Sequence, residues 1–115
     1  MTEKHNSWTR VCALNALPEQ ATKGVEFADQ EVILINWFGK IYAYLNNCPH
    51  AGWPLNFDPD KFLDEEGRYL QCSNHMALFE VEDGSCIAGP CPGQKLTPIE
   101  VSVMEGDIFL GKLPD

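Results

Sequence analysis

The hydrophobic positions of this chain recur every second residue in short runs, which is the period of half-buried β-strands. Residues 31–45, EVILINWFGKIYAYL, contain two runs rich in β-branched and aromatic residues on either side of F-G-K, and this arrangement predicts a β-hairpin. Residues 99–103 and 107–110 alternate in the same way around an E-G pair. They predict a second hairpin near the C-terminus.

Shorter runs of the same kind complete a set of strands, at residues 8–14, 25–28, 69–72 and 78–81. Glycine, proline, asparagine and aspartate separate them, as expected for turns. Residues 17–23 offer at most a single helical turn after a proline. The pattern therefore predicts an all-β protein with an antiparallel sandwich or a closed barrel.

One segment does not fit a sheet. Residues 46–70 contain three prolines and two glycines, and they include the acidic run FDPDKFLDEE at residues 57–66. A segment of this length without a regular period usually has a function or an anchor of its own.

Size and composition limit the kinds of protein that this chain can be. At 115 residues, with 44% hydrophobic and 22% charged residues, it is expected to form a single domain, residues 1–115. It has no apolar run of about eighteen residues, so no membrane span is predicted. Its polar N-terminus lacks the apolar part of a secretory signal, so we expect a cytoplasmic protein. The formal net charge of -9 disfavours nucleic acid and anionic membranes as partners and suits a basic protein partner.

The five cysteines indicate metal or redox chemistry, because disulfides are rare in the cytoplasm and an odd number cannot all pair. Two of them precede histidines, Cys48 with His50 in C-P-H and Cys72 with His75 in C-S-N-H. Two thiolates and two imidazoles can hold a structural zinc ion, but such sites usually place like ligands on each arm. They can also hold a Rieske 2Fe-2S cluster, in which one iron has two cysteines and the other has two histidines. The mixed pairs suit this second arrangement better.

At these residues the sequence resembles the Rieske iron-sulfur family, whose signature is C-x-H followed at a distance by C-x-x-H. CPHAGWPL is similar to the family's C-x-H-x-G-x-P-L, GSCIAGPCPGQKL to its Gly-Pro loop over the cluster, and VSVMEGDIFL to its closing strands. The resemblance implies a Rieske-type antiparallel β-sandwich or barrel, with a small cluster-binding subdomain formed by two loops at about residues 46–80. It also implies one 2Fe-2S cluster per chain, held by Cys48, His50, Cys72 and His75.

The resemblance further implies a low-potential, ferredoxin-like protein. High-potential relatives add a cysteine to each ligand loop and a serine that hydrogen-bonds a cluster sulfur, whereas here neither loop has a spare cysteine and Ala77 occupies the serine position. Fewer hydrogen bonds leave the reduced, more negative cluster less stabilised, so we expect a potential of about -150 mV. The 21 residues between His50 and Cys72 exceed the family's usual number. The surplus, residues 57–66, is either a solvated loop or a docking surface for a basic partner.

The remaining cysteines receive no role. Cys12 is interpreted as a small buried hydrophobic residue. Cys86 and Cys91 lie in the covering loop and are expected to be free thiols in the cytoplasm, with a disulfide as the alternative.

The function implied by the resemblance is that of a soluble one-electron carrier, which passes electrons from a flavin reductase to a terminal oxygenase or similar acceptor. The sequence contains no nucleophile with a partnered base, no phosphate-binding loop and no mononuclear iron triad, so we expect an electron-transfer protein rather than an enzyme. The alternative is the accessory small subunit of a cytoplasmic NAD(P)H nitrite reductase, and a zinc-bound interaction module is a third hypothesis. We expect a monomer whose partners are redox proteins.

Overall fold

Antiparallel strands account for nearly all of the regular structure. The computed structural model describes residues 8–46, 63, 67–71, 77–89 and 94–111. Within these ranges it has a short 3-10 helix, Leu14–Ala16, and the strands β1 Thr9–Ala13, β2 Thr22–Phe27, β3 Gln30–Trp37, β4 Lys40–Leu45, β5 Leu70–Gln71, β6 Leu78–Phe79, β7 Cys86–Ala88, β8 Val101–Met104 and β9 Asp107–Leu110. None of the described residues belongs to a helix that could span a bilayer. All pairings between these strands are antiparallel, which confirms the predicted fold class.

Three hairpins close with turns of two residues. The hairpins predicted at residues 31–45 and 99–110 form β3–β4 and β8–β9, and a third hairpin joins β2 to β3. Both residues of each turn have positive φ, at Ala28 (52°) and Asp29 (66°), Phe38 (55°) and Gly39 (89°), and Glu105 (53°) and Gly106 (81°). Positive φ at both positions gives the turn a twist that matches the twist of the strands, so it fixes the register of each pair.

Residues 17–23, which were expected to form at most one helical turn, contain no helix. The short 3-10 helix lies earlier, at Leu14–Ala16, and β2 already begins at Thr22. Between them a turn forms in which the Ala21 N–H donates to the Pro18 carbonyl at 3.0 Å. The buried side chain of Asn36 donates to the Leu17 carbonyl at 2.9 Å, so this segment is also bonded to β3.

The strands form three sheets of three strands, in the orders β1-β9-β8, β2-β3-β4 and β5-β6-β7. β3 is buried on both faces, and its side chains alternate between two hydrophobic cores. Ile33 and Ile35 contribute to the core shared with Leu70 and Phe79. Val32 and Leu34 contribute to the core shared with Ile108 and Leu110. The β2-β3-β4 sheet therefore packs on one face against β5–β7 and on the other against β1, β8 and β9.

Residues 94–99 connect two of the sheets through backbone hydrogen bonds. The Cys86 N–H donates to the Gln94 carbonyl at 2.9 Å, which attaches one end of this segment to β7. The Leu45 N–H donates to the Thr97 carbonyl at 2.9 Å, which attaches the other end to β4. The segment thus ties the β5-β6-β7 sheet to the strand that precedes the first Cys/His pair.

Candidate metal centre

The four predicted ligands, Cys48, His50, Cys72 and His75, lie outside the described residues. The structure does describe the strands from which both ligand-bearing segments leave. The geometry of these strands shows how firmly each segment is held at its ends.

The first segment leaves from the end of β4. The last paired residue of this strand is Leu45, which lies opposite Val32 of β3. The next residue, Asn46, is held twice by Glu31: its N–H donates to the Glu31 carbonyl at 2.9 Å, and its Nδ2 donates to Glu31 Oε1 at 3.3 Å. The chain is therefore fixed in direction two residues before Cys48.

The second segment lies between two paired strands. Gln71 of β5 pairs with Leu78 of β6, and Leu70 pairs with Phe79. Cys72 directly follows Gln71 in the sequence, so the residues with the second Cys/His pair connect the two strands of a hairpin. The base of that hairpin is rigid because Leu70 and Phe79 are fully buried.

One core supports both segments. Tyr44 of β4 belongs to the same hydrophobic core as Leu70, Ala77 and Phe79. Its hydroxyl donates to the Val81 carbonyl at 2.6 Å, which links β4 directly to the chain after β6. Both ligand-bearing segments therefore start from strands that contribute to one core. Sequence reasoning did not single out Tyr44, because it stands in a run of strand-forming residues where nothing distinguishes it.

The other cysteines are described only in part. Burial raises the pKa of the Cys12 thiol, so Cys12 remains protonated and behaves as the predicted buried hydrophobic residue. Cys86 is buried in β7, and its Sγ donates to the Ala88 carbonyl at 3.3 Å. Cys91 lies outside the described residues, so the state expected of Cys86 and Cys91 stays a prediction.

The donor set suits a Rieske cluster chemically. Two thiolates and two imidazoles are the ligands that such a cluster takes, and each pair follows or lies between strands that share one core. Within the part of the chain that the structure describes, no three or more cysteine, histidine, aspartate or glutamate side chains are grouped to hold a metal ion.

Comparison with known proteins identifies relatives of this chain. The Rieske [2Fe-2S] domain model matches residues 7–108. The ferredoxin component of a naphthalene 1,2-dioxygenase system from Pseudomonas aeruginosa is 36% identical over 90 residues, which cover 78% of this chain and 79% of that protein. The ferredoxin component of naphthalene 1,2-dioxygenase/salicylate 5-hydroxylase systems from a Ralstonia species is 30% identical over 99 residues, covering 85% and 90%. The structure of the ferredoxin of carbazole 1,9a-dioxygenase from Nocardioides aromaticivorans IC177 superposes with a TM-score of 0.75 at 24% identity, covering 91% of this chain and 97% of that one.

These findings confirm the resemblance that the two Cys/His pairs indicated, together with the Rieske-type all-β fold. They also confirm the 2Fe-2S cofactor and the prediction of a ferredoxin-type electron carrier rather than an enzyme. The assignment of the four ligands stays a prediction. A match over residues 7–108 covers most of the 115 residues, and the chain therefore belongs to the Rieske [2Fe-2S] domain family.

Proposed function

We propose that this protein carries one electron at a time from a flavin reductase to a terminal oxygenase. The observation that carries the proposal is that two relatives, at 36% and 30% identity, are both ferredoxin components of oxygenase systems. Because the chain covers 79% and 90% of those proteins, the similarity concerns most of their length rather than a shared fragment. These relatives favour the carrier over the accessory subunit of a nitrite reductase.

We assign the cluster ligands to Cys48 and Cys72 on one iron and to His50 and His75 on the other. When bound, the cluster accepts and returns one electron. Neutral imidazoles in place of two further thiolates leave two fewer negative charges at the site, so adding an electron costs less than with four cysteines. Leu70, Ala77 and Phe79, which flank the second Cys/His pair in the sequence, are fully buried and would give the cluster a dry base.

The proposal extends to the organisation of the chain. A single domain, residues 1–115, would contain a cluster-binding subdomain at about residues 46–80, formed by two loops. The anchoring of Asn46 by Glu31 supports the first of these boundaries, since it marks where β4 ends. We further propose that the protein is a cytoplasmic monomer. Its net charge of -9 suits a basic redox partner.

The ligand assignment is tested by substitution and electron paramagnetic resonance. His50→Ala and His75→Cys, prepared anaerobically and reduced with dithionite, should lose the Rieske-type signal that the wild-type protein shows. The control is His5→Ala, which removes the one histidine that has no neighbouring cysteine. An unchanged signal in either ligand variant would remove that histidine from the cluster.

The carrier function is tested on the isolated, cluster-loaded protein. We expect sedimentation as a monomer and reversible reduction by one electron per chain, with transfer to a Rieske-type oxygenase when a flavin reductase and NADH are supplied. Stable co-purification with a large nitrite reductase would instead favour the accessory subunit.

A further inference from the structure

Gly89 approaches the backbone of Ala77, the first described residue after the second Cys/His pair. It directly follows β7 and has φ of +100°. A Cβ atom built on Gly89 would lie 2.6 Å from the Cα of Ala77, 3.0 Å from its Cβ and 3.2 Å from its N. Only a residue without a side chain allows these two backbones to be in contact.

Ala77 stands at a sensitive point of the chain. It is fully buried, it precedes β6, and it follows His75 by two residues. The next residue, Leu78, pairs with Gln71 on one side and with Ala88 on the other. Gly89 follows Ala88 and therefore lies beside Ala77, which precedes Leu78. The contact therefore lies at the end of the β6–β7 hairpin that is nearest in sequence to His75.

We propose that Gly89 is a positioning residue for the cluster: its backbone, pressed against Ala77, fixes where the chain leaving His75 enters β6. This inference rests on the proposed function. A side chain at position 89 would force the two backbones apart by about 0.8 Å to reach the 3.4 Å of an ordinary contact. Displacements of this size around a metal ligand change its orientation, and with it the spectrum and potential of the metal.

Two other glycines separate this effect from simple destabilisation. Gly39 has φ of +89° with open space around its Cα, so Gly39→Ala introduces backbone strain alone. Gly84 has φ of +76°, and a Cβ there would lie 2.9 Å from Tyr44 Cε1 and 3.2 Å from Leu96 Cβ. Gly84→Ala therefore introduces strain and a collision at the opposite end of the same hairpin.

The experiment compares Gly89→Ala with these two controls in the cluster-loaded protein. All three variants should unfold at lower temperature than the wild type. Only Gly89→Ala should change the electron paramagnetic resonance spectrum, and only it should change the ratio of reduced to oxidised protein at a fixed electrode potential, by about threefold or more. A wild-type spectrum and ratio in loaded Gly89→Ala would overturn the proposal, as would equal changes in all three variants.

Two further variants keep the proposal testable. If Gly89→Ala does not fold, Gly89→Asn introduces the same Cβ with less backbone strain, and it should change the same two quantities. Ala77→Gly removes the Cβ that lies 3.0 Å from the added atom. Its effect on the spectrum should therefore be non-additive with the effect of Gly89→Ala and additive with the effect of Gly84→Ala. Additivity in both pairs would overturn the proposal. Absence of iron and acid-labile sulfide from the wild-type protein would instead refute the proposed function.

Discussion

At the scale of single residues, the Tyr44 hydroxyl links the central sheet to the hairpin that follows the second Cys/His pair. It donates to the Val81 carbonyl at 2.6 Å, and its Cε1 would lie 2.9 Å from a Cβ built on Gly84. Burial raises the pKa of Tyr44 well above its usual value, so the hydroxyl remains a donor over the whole pH range in which the protein is expected to fold. The link between the two elements therefore does not depend on pH.

Removing this hydroxyl should weaken the fold. Tyr44→Phe leaves the Val81 carbonyl without its buried donor, and we expect the free energy of unfolding to fall by about 1–2 kcal/mol. Tyr42→Phe is the control, because Tyr42 is only partly buried and water can replace a lost partner. Urea unfolding of both variants measures the difference, and equal losses would mean that the Tyr44 bond contributes nothing specific.

The ionisation of Asp83 makes the stability of the folded protein depend on pH. The Ser85 N–H donates to Asp83 Oδ1 at 2.8 Å, and this hydrogen bond, with a further one from the Ser85 side chain, holds the pKa of Asp83 below its ordinary value of 3.8. A carboxyl whose pKa is lower in the folded state stabilises that state above its unfolded pKa. The stabilisation is lost as pH falls through the folded pKa.

Asp83→Asn should therefore be less stable than the wild type at pH 6, and the difference should shrink below about pH 3.8. Urea midpoints at pH 6 and at pH 3 measure it. A difference that is the same at both values would assign the effect to the geometry of the turn rather than to ionisation.

At the scale of elements, the three two-residue turns differ in how well their sequences suit them. Gly39 and Gly106 occupy the second turn position of β3–β4 and β8–β9, where φ is 89° and 81°. The β2–β3 turn has Asp29 at that position with φ of 66°. A residue with a Cβ is strained there, although aspartate tolerates it better than most.

Asp29→Gly should therefore stabilise the protein, by about 0.5–1 kcal/mol, because relief of strain exceeds the added freedom of the unfolded chain. Gly106→Ala, at the equivalent position of the β8–β9 turn, should destabilise it. Thermal unfolding shows whether each variant is more or less stable than the wild type. A loss of stability in Asp29→Gly would show that the aspartate side chain contributes more than its backbone costs.

Hairpins with strong alternation could be predicted from the sequence, and weakly patterned elements could not. The β3–β4 hairpin is clear because β-branched and aromatic residues flank a two-residue turn. β7 was missed because it is short and two of its three residues, Ile87 and Ala88, are exposed, so Cys86 alone cannot show an alternating pattern. The short 3-10 helix at Leu14–Ala16 was not predicted, because three residues carry no helical period that could mark it.

The candidate site could be predicted as chemistry but not as geometry. Thiols and imidazoles in two close pairs identify the cofactor because few side chains bind iron. The support beneath them depends on contacts between distant residues, such as Tyr44 with Val81 and Gly89 with Ala77. Nothing in the local pattern around Gly89 shows which backbone it meets, so this contact required the fold.

At the scale of the whole molecule, the charge of -9 should steer encounters with a basic partner. Of the acidic residues, Asp64, Glu65 and Glu66 belong to the run between the two predicted ligand pairs. Because this run lies between the ligand pairs in sequence, we expect it, among the acidic residues, to guide a partner to the cluster.

Reversing the charge of Asp64, Glu65 and Glu66 changes the net charge from -9 to -3, since each reversal adds two. We expect slower electron transfer to the partner at low salt, with the difference disappearing at high salt and the reduction potential nearly unchanged. The control reverses the exposed residues Glu19, Glu26 and Glu105, which gives the same net charge. Stopped-flow rates over a range of ionic strengths distinguish the two, and equal slowing would mean that total charge alone governs the encounter.

The burial of β3 on both faces has a consequence for how the molecule unfolds. Because Ile33 and Leu34 point into different cores, the strand cannot leave one without exposing the other. The protein should therefore behave as one cooperative unit, and the backbone amides of β3 should exchange with deuterated solvent only when the whole chain opens.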